Sequence, residues 1–179
     1  MNTPNKLTTL RMIMVPFFVF FMLVDMGRTG DIIALVLFCL ASITDFLDGY
    51  LARKNNQVTN FGKFMDPVAD KLLVGSAAIC LTALDRIPAW VVVILIGREF
   101  IISGFRLVAS DNGVVIAASM WGKVKTTCQM IMTIVLILHF DGVVWGILEQ
   151  VLIVLATILT IVSLIDYIYK NRNVLDGPI

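Results

Sequence analysis

Four aspartates lie within 26 residues of a chain that is otherwise strongly apolar. Asp45 and Asp48 are three residues apart, and Asp66 and Asp70 are four apart. In a helix, either spacing places the two residues on one face. Carboxylate oxygens are the ligands that hard divalent ions such as Mg²⁺ or Mn²⁺ prefer, and two such ions could clamp a diphosphate. We therefore predict that all four aspartates hold a metal site, with two ions.

Small residues accompany these acids. Gly49, Ala52 and Gly62 would allow a flat base or a diphosphate to approach the helix backbone closely. Close packing between helices is the alternative role for such residues in a membrane. The alternative for the aspartates is ion pairing with neighbouring cations at a membrane surface, namely Arg53, Lys54, Lys63 and Lys71.

The composition indicates an all-α integral membrane protein. Of 179 residues, 59% are apolar and only 15% are charged, and the mean hydropathy is +0.92. A helix needs roughly 20 apolar residues to cross a bilayer. We predict one membrane domain over residues 1–179 with six transmembrane helices, at 7–25, 31–53, 62–84, 88–109, 118–140 and 143–169.

The basic residues predict the orientation of these helices. With a cytoplasmic N-terminus, twelve of the fourteen lysines and arginines fall on or near the cytoplasmic side, and only Arg28 and Arg86 fall on the other. Cytoplasmic loops of membrane proteins carry this excess of basic residues. We therefore expect both termini, and the acidic segment between the second and third helices, to be cytoplasmic.

Four cations flank one predicted cytoplasmic loop, between the fourth and fifth helices. They are Arg98, Arg106, Lys123 and Lys125. They could serve membrane orientation alone, or they could bind a molecule that carries a phosphate. The sequence pattern does not separate these two roles.

The acidic segment as a whole resembles the signature of the CDP-alcohol phosphotransferases, membrane enzymes that build phospholipids. The shared pattern runs from Asp45 to Asp70 with eight positions at fixed spacings: Asp45, Asp48, Gly49, Ala52, Arg53, Gly62, Asp66 and Asp70. The resemblance implies the fold of that family. It also implies that Asp45, Asp48 and Asp66 bind the metals with Asp70, and that Asp70 is the general base on the acceptor hydroxyl.

The same resemblance implies further site residues and partners. Gly49, Ala52, Arg53 and Gly62 would line the CDP pocket, and Thr59 would reach the cytidine or the diphosphate. The segment "TPNKLTTLR" resembles the start of the family's first helix, which adds Asn5 and Thr8 as nucleotide contacts. Membrane lipids and a second copy of the chain, in a homodimer, are the other implied partners; we expect no nucleic acid.

Two more segments, "GREFIISGFR" (97–106) and "GKVKTTCQM" (122–130), resemble the bacterial phosphatidylglycerophosphate synthases of that family. The resemblance implies CDP-diacylglycerol as donor and sn-glycerol 3-phosphate as acceptor, in a bacterial inner membrane. Arg98, Arg106, Lys123 and Lys125 would then hold the acceptor's phosphate. Inositol phosphate or serine as acceptor, a metal-ion transporter and a membrane scaffold are the alternatives.

Overall fold

The structure is a computed structural model. It describes the backbone of residues 3–54, 60–111 and 113–172, apart from 115 and 118, and the side chains within these ranges except those at 3–6, 45–54, 60–64, 66 and 67. Six helices, and no strand, occur in the part of the chain that is described. The all-α prediction is therefore confirmed for these residues.

Each predicted span corresponds to one helix, and the predicted ends agree with the observed ones to within four residues. The helices are α1 (Thr3–Leu23), α2 (Arg28–Lys54), α3 (Asn60–Ala83), α4 (Ala89–Asp111), α5 (Met120–Leu138) and α6 (Val143–Lys170).

Only α6, among the described residues, is both long enough and apolar enough to cross a bilayer by itself, with Leu7–Leu23 as a shorter apolar segment. Six membrane spans remain a prediction.

Residues Met1–Arg86 form one compact unit, built from α1, α2 and α3. Helix α1 packs against both other helices, which also contact each other. Its buried residues recur every three or four positions, which is the pattern of a helix with one inward face. They are Thr8, Arg11, Val15, Phe18 and Met22.

Small residues allow close packing inside this unit. On α2, Ala34 and Ala41 are completely buried, as are Ala69 and Ala77 on α3. Phe38 of α2 contacts Phe18 of α1 with the ring centroids 5.9 Å apart. Short side chains let the helix backbones approach each other closely. The dispersion contacts formed there help to hold these helices together, in addition to those of the large side chains.

An ion pair closes the end of this unit that lies away from the aspartates. The guanidinium of Arg86 donates two hydrogen bonds of 3.1 Å to the two carboxylate oxygens of Asp31. This forked geometry is the strongest arrangement for an arginine and a carboxylate. The pair links the start of α2 to the segment that follows α3.

Residues Ile87–Ile179 form the second compact unit. Helix α6 packs against both α4 and α5. The turn from α5 to α6 uses His139 at φ 37° and Gly142 at φ 135°, and Nδ1 of His139 lies 2.9 Å from a carboxylate oxygen of Glu149 on α6. His139 in this turn is therefore a polar partner of the buried Glu149. The prediction of one domain over residues 1–179 remains a prediction.

Candidate functional site

The acidic segment spans the end of α2 and the start of α3. Helix α2 continues through the positions of Asp45 and Asp48, and α3 includes those of Asp66 and Asp70. Asp70 is the one member of the four whose side chain is described, and it is exposed. The side chains of the other three lie outside the described residues.

Helical spacing relates these positions to the faces that pack within the unit. On α2 the buried residues Ala34, Phe38 and Ala41 are four and three residues apart, and positions 45 and 48 continue that spacing. On α3, position 66 lies three residues before the buried Ala69. Residues at these intervals share a helix face. The backbone register of both helices is therefore compatible with one shared acidic site.

A buried arginine lies near the same end of the unit. Arg11 is fully buried on the inward face of α1. It lies seven residues before Phe18, and position 45 lies seven residues after Phe38, the ring in contact with Phe18. A short turn makes α1 and α2 antiparallel. Counting seven residues back along α1 and seven forward along α2 therefore leads about 10 Å towards the same end of the unit. The charge pattern predicted only an orienting role for Arg11 and did not indicate its burial.

The predicted CDP contacts are described only in small part. Thr8 lies one turn before Arg11 on the inward face of α1 and is 1% exposed. Thr59 lies outside the described residues altogether. The backbone of the remaining predicted contacts is helical but their side chains are not described: Asn5, Gly49, Ala52, Arg53 and Gly62.

Among the side chains that are described, no group of three or more His, Cys, Asp or Glu residues could hold a metal ion. Three of the four predicted ligands, Asp45, Asp48 and Asp66, lie outside that set. The metal site therefore stays a prediction.

The second unit contains a buried cluster of charges, which we call the Glu99 cluster: Arg98, Glu99, Lys125 and Ser163. Arg98 of α4 donates from Nη1 to Oε1 of Glu99 at 3.1 Å and from Nε to Oγ of Ser163 on α6 at 3.2 Å. Lys125 of α5 donates to the same Glu99 oxygen. Two cations from different helices therefore share one carboxylate.

Burial makes this arrangement unusual. Lys125 is 1% exposed and Arg98 is 7% exposed, whereas 30% of the Glu99 side chain remains accessible. Taking a charge out of water is costly unless it is paired and hydrogen-bonded. The cluster satisfies that requirement and opens to its surroundings at the carboxylate.

The other two predicted phosphate-binding cations are placed differently. Lys123 and Arg106 are exposed, and the guanidinium of Arg106 lies 5.8 Å from the centre of the Tyr167 ring. Lys123 precedes Lys125 by two residues, which puts the two side chains on different sides of α5. The structure thus brings together Arg98 and Lys125 and leaves Lys123 outside the cluster.

A glycine allows the start of α5 to lie against Arg98. A Cβ atom at Gly122 would stand 3.1 Å from Nη2 of Arg98 and 3.5 Å from Oγ of Ser119. Ser119 caps α5 by accepting a hydrogen bond from the Gly122 N–H at 3.1 Å. A Cβ atom at position 122 would therefore press on the guanidinium, whereas its contact with Ser119 would be an ordinary van der Waals contact.

Sequence reasoning missed Glu99 and Ser163. Glu99 directly follows Arg98, and an acid next to a base in a predicted membrane helix was a usable signal, because such charges rarely occur without a partner. Ser163 gave no signal of its own, since 65 residues separate it from Arg98. Only the packing of α6 against α4 brings them together.

Comparison with known proteins identifies the class. Residues 1–162 match the model of the CDP-alcohol phosphatidyltransferase family, and this protein belongs to that family.

Several curated relatives are similar over nearly the whole chain. A protein of Bacillus subtilis named CDP-diacylglycerol–glycerol-3-phosphate 3-phosphatidyltransferase is 45% identical over 188 residues, covering 97% of each chain. A protein of the same name from Haemophilus influenzae is 41% identical, covering 96% of this chain and 94% of the relative. One from Rickettsia typhi is 38% identical, covering 93% of this chain and 94% of the relative.

Proposed function

We propose that this protein transfers a phosphatidyl group from CDP-diacylglycerol to sn-glycerol 3-phosphate, giving phosphatidylglycerophosphate and CMP. Family membership supports the class of reaction, and the names of the relatives support both substrates. The observation in this structure that supports a phosphorylated acceptor is the pairing of two buried cations, Arg98 and Lys125, at one accessible carboxylate. A phosphorylated alcohol suits that charge better than a neutral one.

The residues predicted to bind the donor lie on the helices of the first unit. Asp45, Asp48, Asp66 and Asp70 would hold two divalent ions, Mg²⁺ or Mn²⁺, because the donor set consists of carboxylates. When bound, such ions supply stabilisation of negative charge on a diphosphate. The proposed contacts to the CDP portion are the residues predicted from the sequence: Asn5, Thr8, Gly49, Ala52, Arg53, Thr59 and Gly62.

Asp70 is the proposed general base. Its exposed position on α3 supports this role, because a water-soluble acceptor must be able to reach it. Asp70 takes the proton of the acceptor's hydroxyl, whose oxygen then bonds to the phosphorus that carries the diacylglycerol. The bond from that phosphorus to CMP breaks, and CMP leaves with its electron pair.

The location proposed for this chemistry is the cytoplasmic side of a bacterial cell membrane, in a multi-pass protein and a homodimer. Apolar side chains that stay exposed on the helices support a lipid environment. On α4 they recur every seven residues, at Val93, Phe100 and Leu107, which are 70%, 67% and 68% exposed. A lipid-facing helix surface needs such residues, whereas a water-facing surface does not.

The test is CMP release by the purified protein in detergent micelles that contain CDP-diacylglycerol and Mg²⁺. We expect release only when sn-glycerol 3-phosphate is added, together with a phosphorylated lipid product. Serine and inositol phosphate are the comparison acceptors. Release with one of these alone would replace the proposed acceptor. No release with any of the three would overturn the transferase, since a metal-ion transporter or a membrane scaffold would release none.

A further inference from the structure

We propose that Glu99 is a positioning residue for the acceptor site: its carboxylate holds Arg98 and Lys125 side by side so that both face the acceptor's phosphate. This inference rests on the proposed function. It concerns a residue that does not itself bind the phosphate, since two anions repel each other.

The geometry shows how one carboxylate can set two cations. Arg98 on α4 and Lys125 on α5 both donate to Oε1 of Glu99. Arg98 also donates to Ser163 of α6, whose hydroxyl donates to the Thr160 carbonyl at 3.0 Å and so keeps a lone pair for Arg98. The guanidinium is thereby oriented by two helices, and the Lys125 ammonium is oriented by Glu99.

Charge explains why the carboxylate is needed. Two cations this close repel each other, and the repulsion is strong where burial excludes water. Glu99 offsets it and leaves the three side chains with a net charge of +1, from two positive groups and one negative group. The cluster as a whole therefore keeps a net positive charge that attracts an anion.

The members of the cluster differ in exposure. Here 30% of the Glu99 side chain is exposed, although both of its cationic partners are more than nine-tenths buried. The cluster therefore reaches the surface of the unit at Glu99, beside its two buried cations. That placement suits a group that must receive a ligand and release the product.

The test compares Glu99→Gln and Glu99→Asp with the wild type, by the KM for sn-glycerol 3-phosphate, the KM for CDP-diacylglycerol and kcat. Loss of a charged hydrogen bond predicts a rise of about tenfold or more in the acceptor KM for Glu99→Gln. The donor KM should change less than about twofold, and Glu99→Asp should recover part of the loss, because it keeps the charge.

A matched control is Glu149→Gln, the same chemical change at a buried glutamate that pairs with His139 at the α5–α6 turn. Both KM values should stay at the wild-type level there. An unchanged acceptor KM in Glu99→Gln, or equal rises in both KM values, would overturn the positioning role. If Glu99→Gln fails to fold, Glu99→Asp decides: a raised acceptor KM with an unchanged donor KM supports the role, and unchanged values overturn it.

The same assay separates this inference from the proposed function. If the wild type releases no CMP in response to sn-glycerol 3-phosphate, the proposed function fails before Glu99 is tested. If the wild type turns over and Glu99→Gln keeps its acceptor KM, only the positioning role fails.

Discussion

At the scale of single residues, Asp70 combines two proposed tasks, metal binding and proton removal. Its position on α3 differs from that of the neighbouring Ala69, which is completely buried whereas Asp70 is exposed. Adjacent helical residues point about 100° apart, so one can pack inside the unit while the other meets a substrate. The base role therefore has a specific and testable location.

We predict that Asp70→Asn keeps nucleotide binding and loses turnover. Asparagine has nearly the shape of aspartate but cannot take a proton from the acceptor, and loss of a general base costs about a hundredfold or more in kcat. CMP binding by calorimetry in the presence of Mg²⁺ and CMP release under saturating substrates measure the two effects. Asp111→Asn, an exposed aspartate at the end of α4, is the control that should stay active. Full turnover in Asp70→Asn would remove the residue from the base role.

Residue type and spacing predicted the acidic segment, because four carboxylates in an apolar chain are costly unless they share a ligand or counter-ions. The charge pattern grouped four cations near one loop, and phosphate binding by Arg98, Arg106, Lys123 and Lys125 stays a prediction. The structure pairs Arg98 and Lys125 through Glu99 and leaves Lys123 exposed. Distance along the chain does not tell which side of a helix meets its neighbour, and that face depends on packing against α6.

At the scale of helices, the apolar runs of the sequence predicted all six elements. The backbone polar groups of a segment in an apolar environment must form hydrogen bonds within the protein. A long apolar segment between polar breaks can therefore adopt few structures other than a helix. Contacts between helices were harder to predict. Nothing in the periodicity indicates that Arg98 on α4 meets Ser163 on α6.

The contact between α5 and α4 predicts the effect of Gly122→Ala. Alanine favours the helix by roughly 0.5–1 kcal/mol, but its Cβ would stand 3.1 Å from Nη2 of Arg98. The guanidinium is held by Glu99 and Ser163, so it must shift and weaken one of these bonds. We expect a small net change in thermal stability and an acceptor KM raised about threefold or more, as loss of part of one charged hydrogen bond predicts.

Gly146→Ala is the matched control for that substitution. Gly146 is near the start of α6, as Gly122 is near the start of α5, but a Cβ atom at position 146 would meet no neighbouring atom within 4 Å. It should gain the same helix propensity and keep the wild-type acceptor KM. Equal KM values in Gly122→Ala and Gly146→Ala would show that the position of Arg98 does not govern acceptor binding.

At the scale of the whole molecule, exposed apolar surface and charge placement support the same environment. Val143 and Val144 at the start of α6 are 81% and 82% exposed, and α6 is long and apolar enough to cross a bilayer. Basic residues concentrate towards the other end of the predicted spans. Because a Lys or Arg is costly to move across a membrane, this distribution predicts which end stays in the cytoplasm.

The orientation can be tested in whole cells with two matched substitutions. Asp141 in the α5–α6 turn and Asp111 at the end of α4 are both exposed, and the predicted topology puts them on opposite sides of the membrane. In a variant without the native Cys39, Cys80 and Cys128, a membrane-impermeant maleimide should label Asp141→Cys in intact cells. It should label Asp111→Cys only after the cells are permeabilised. Labelling of Asp111→Cys in intact cells, with Asp141→Cys protected, would invert the proposed orientation and put the acidic segment on the outer side, away from a cytoplasmic supply of nucleotide-activated lipid.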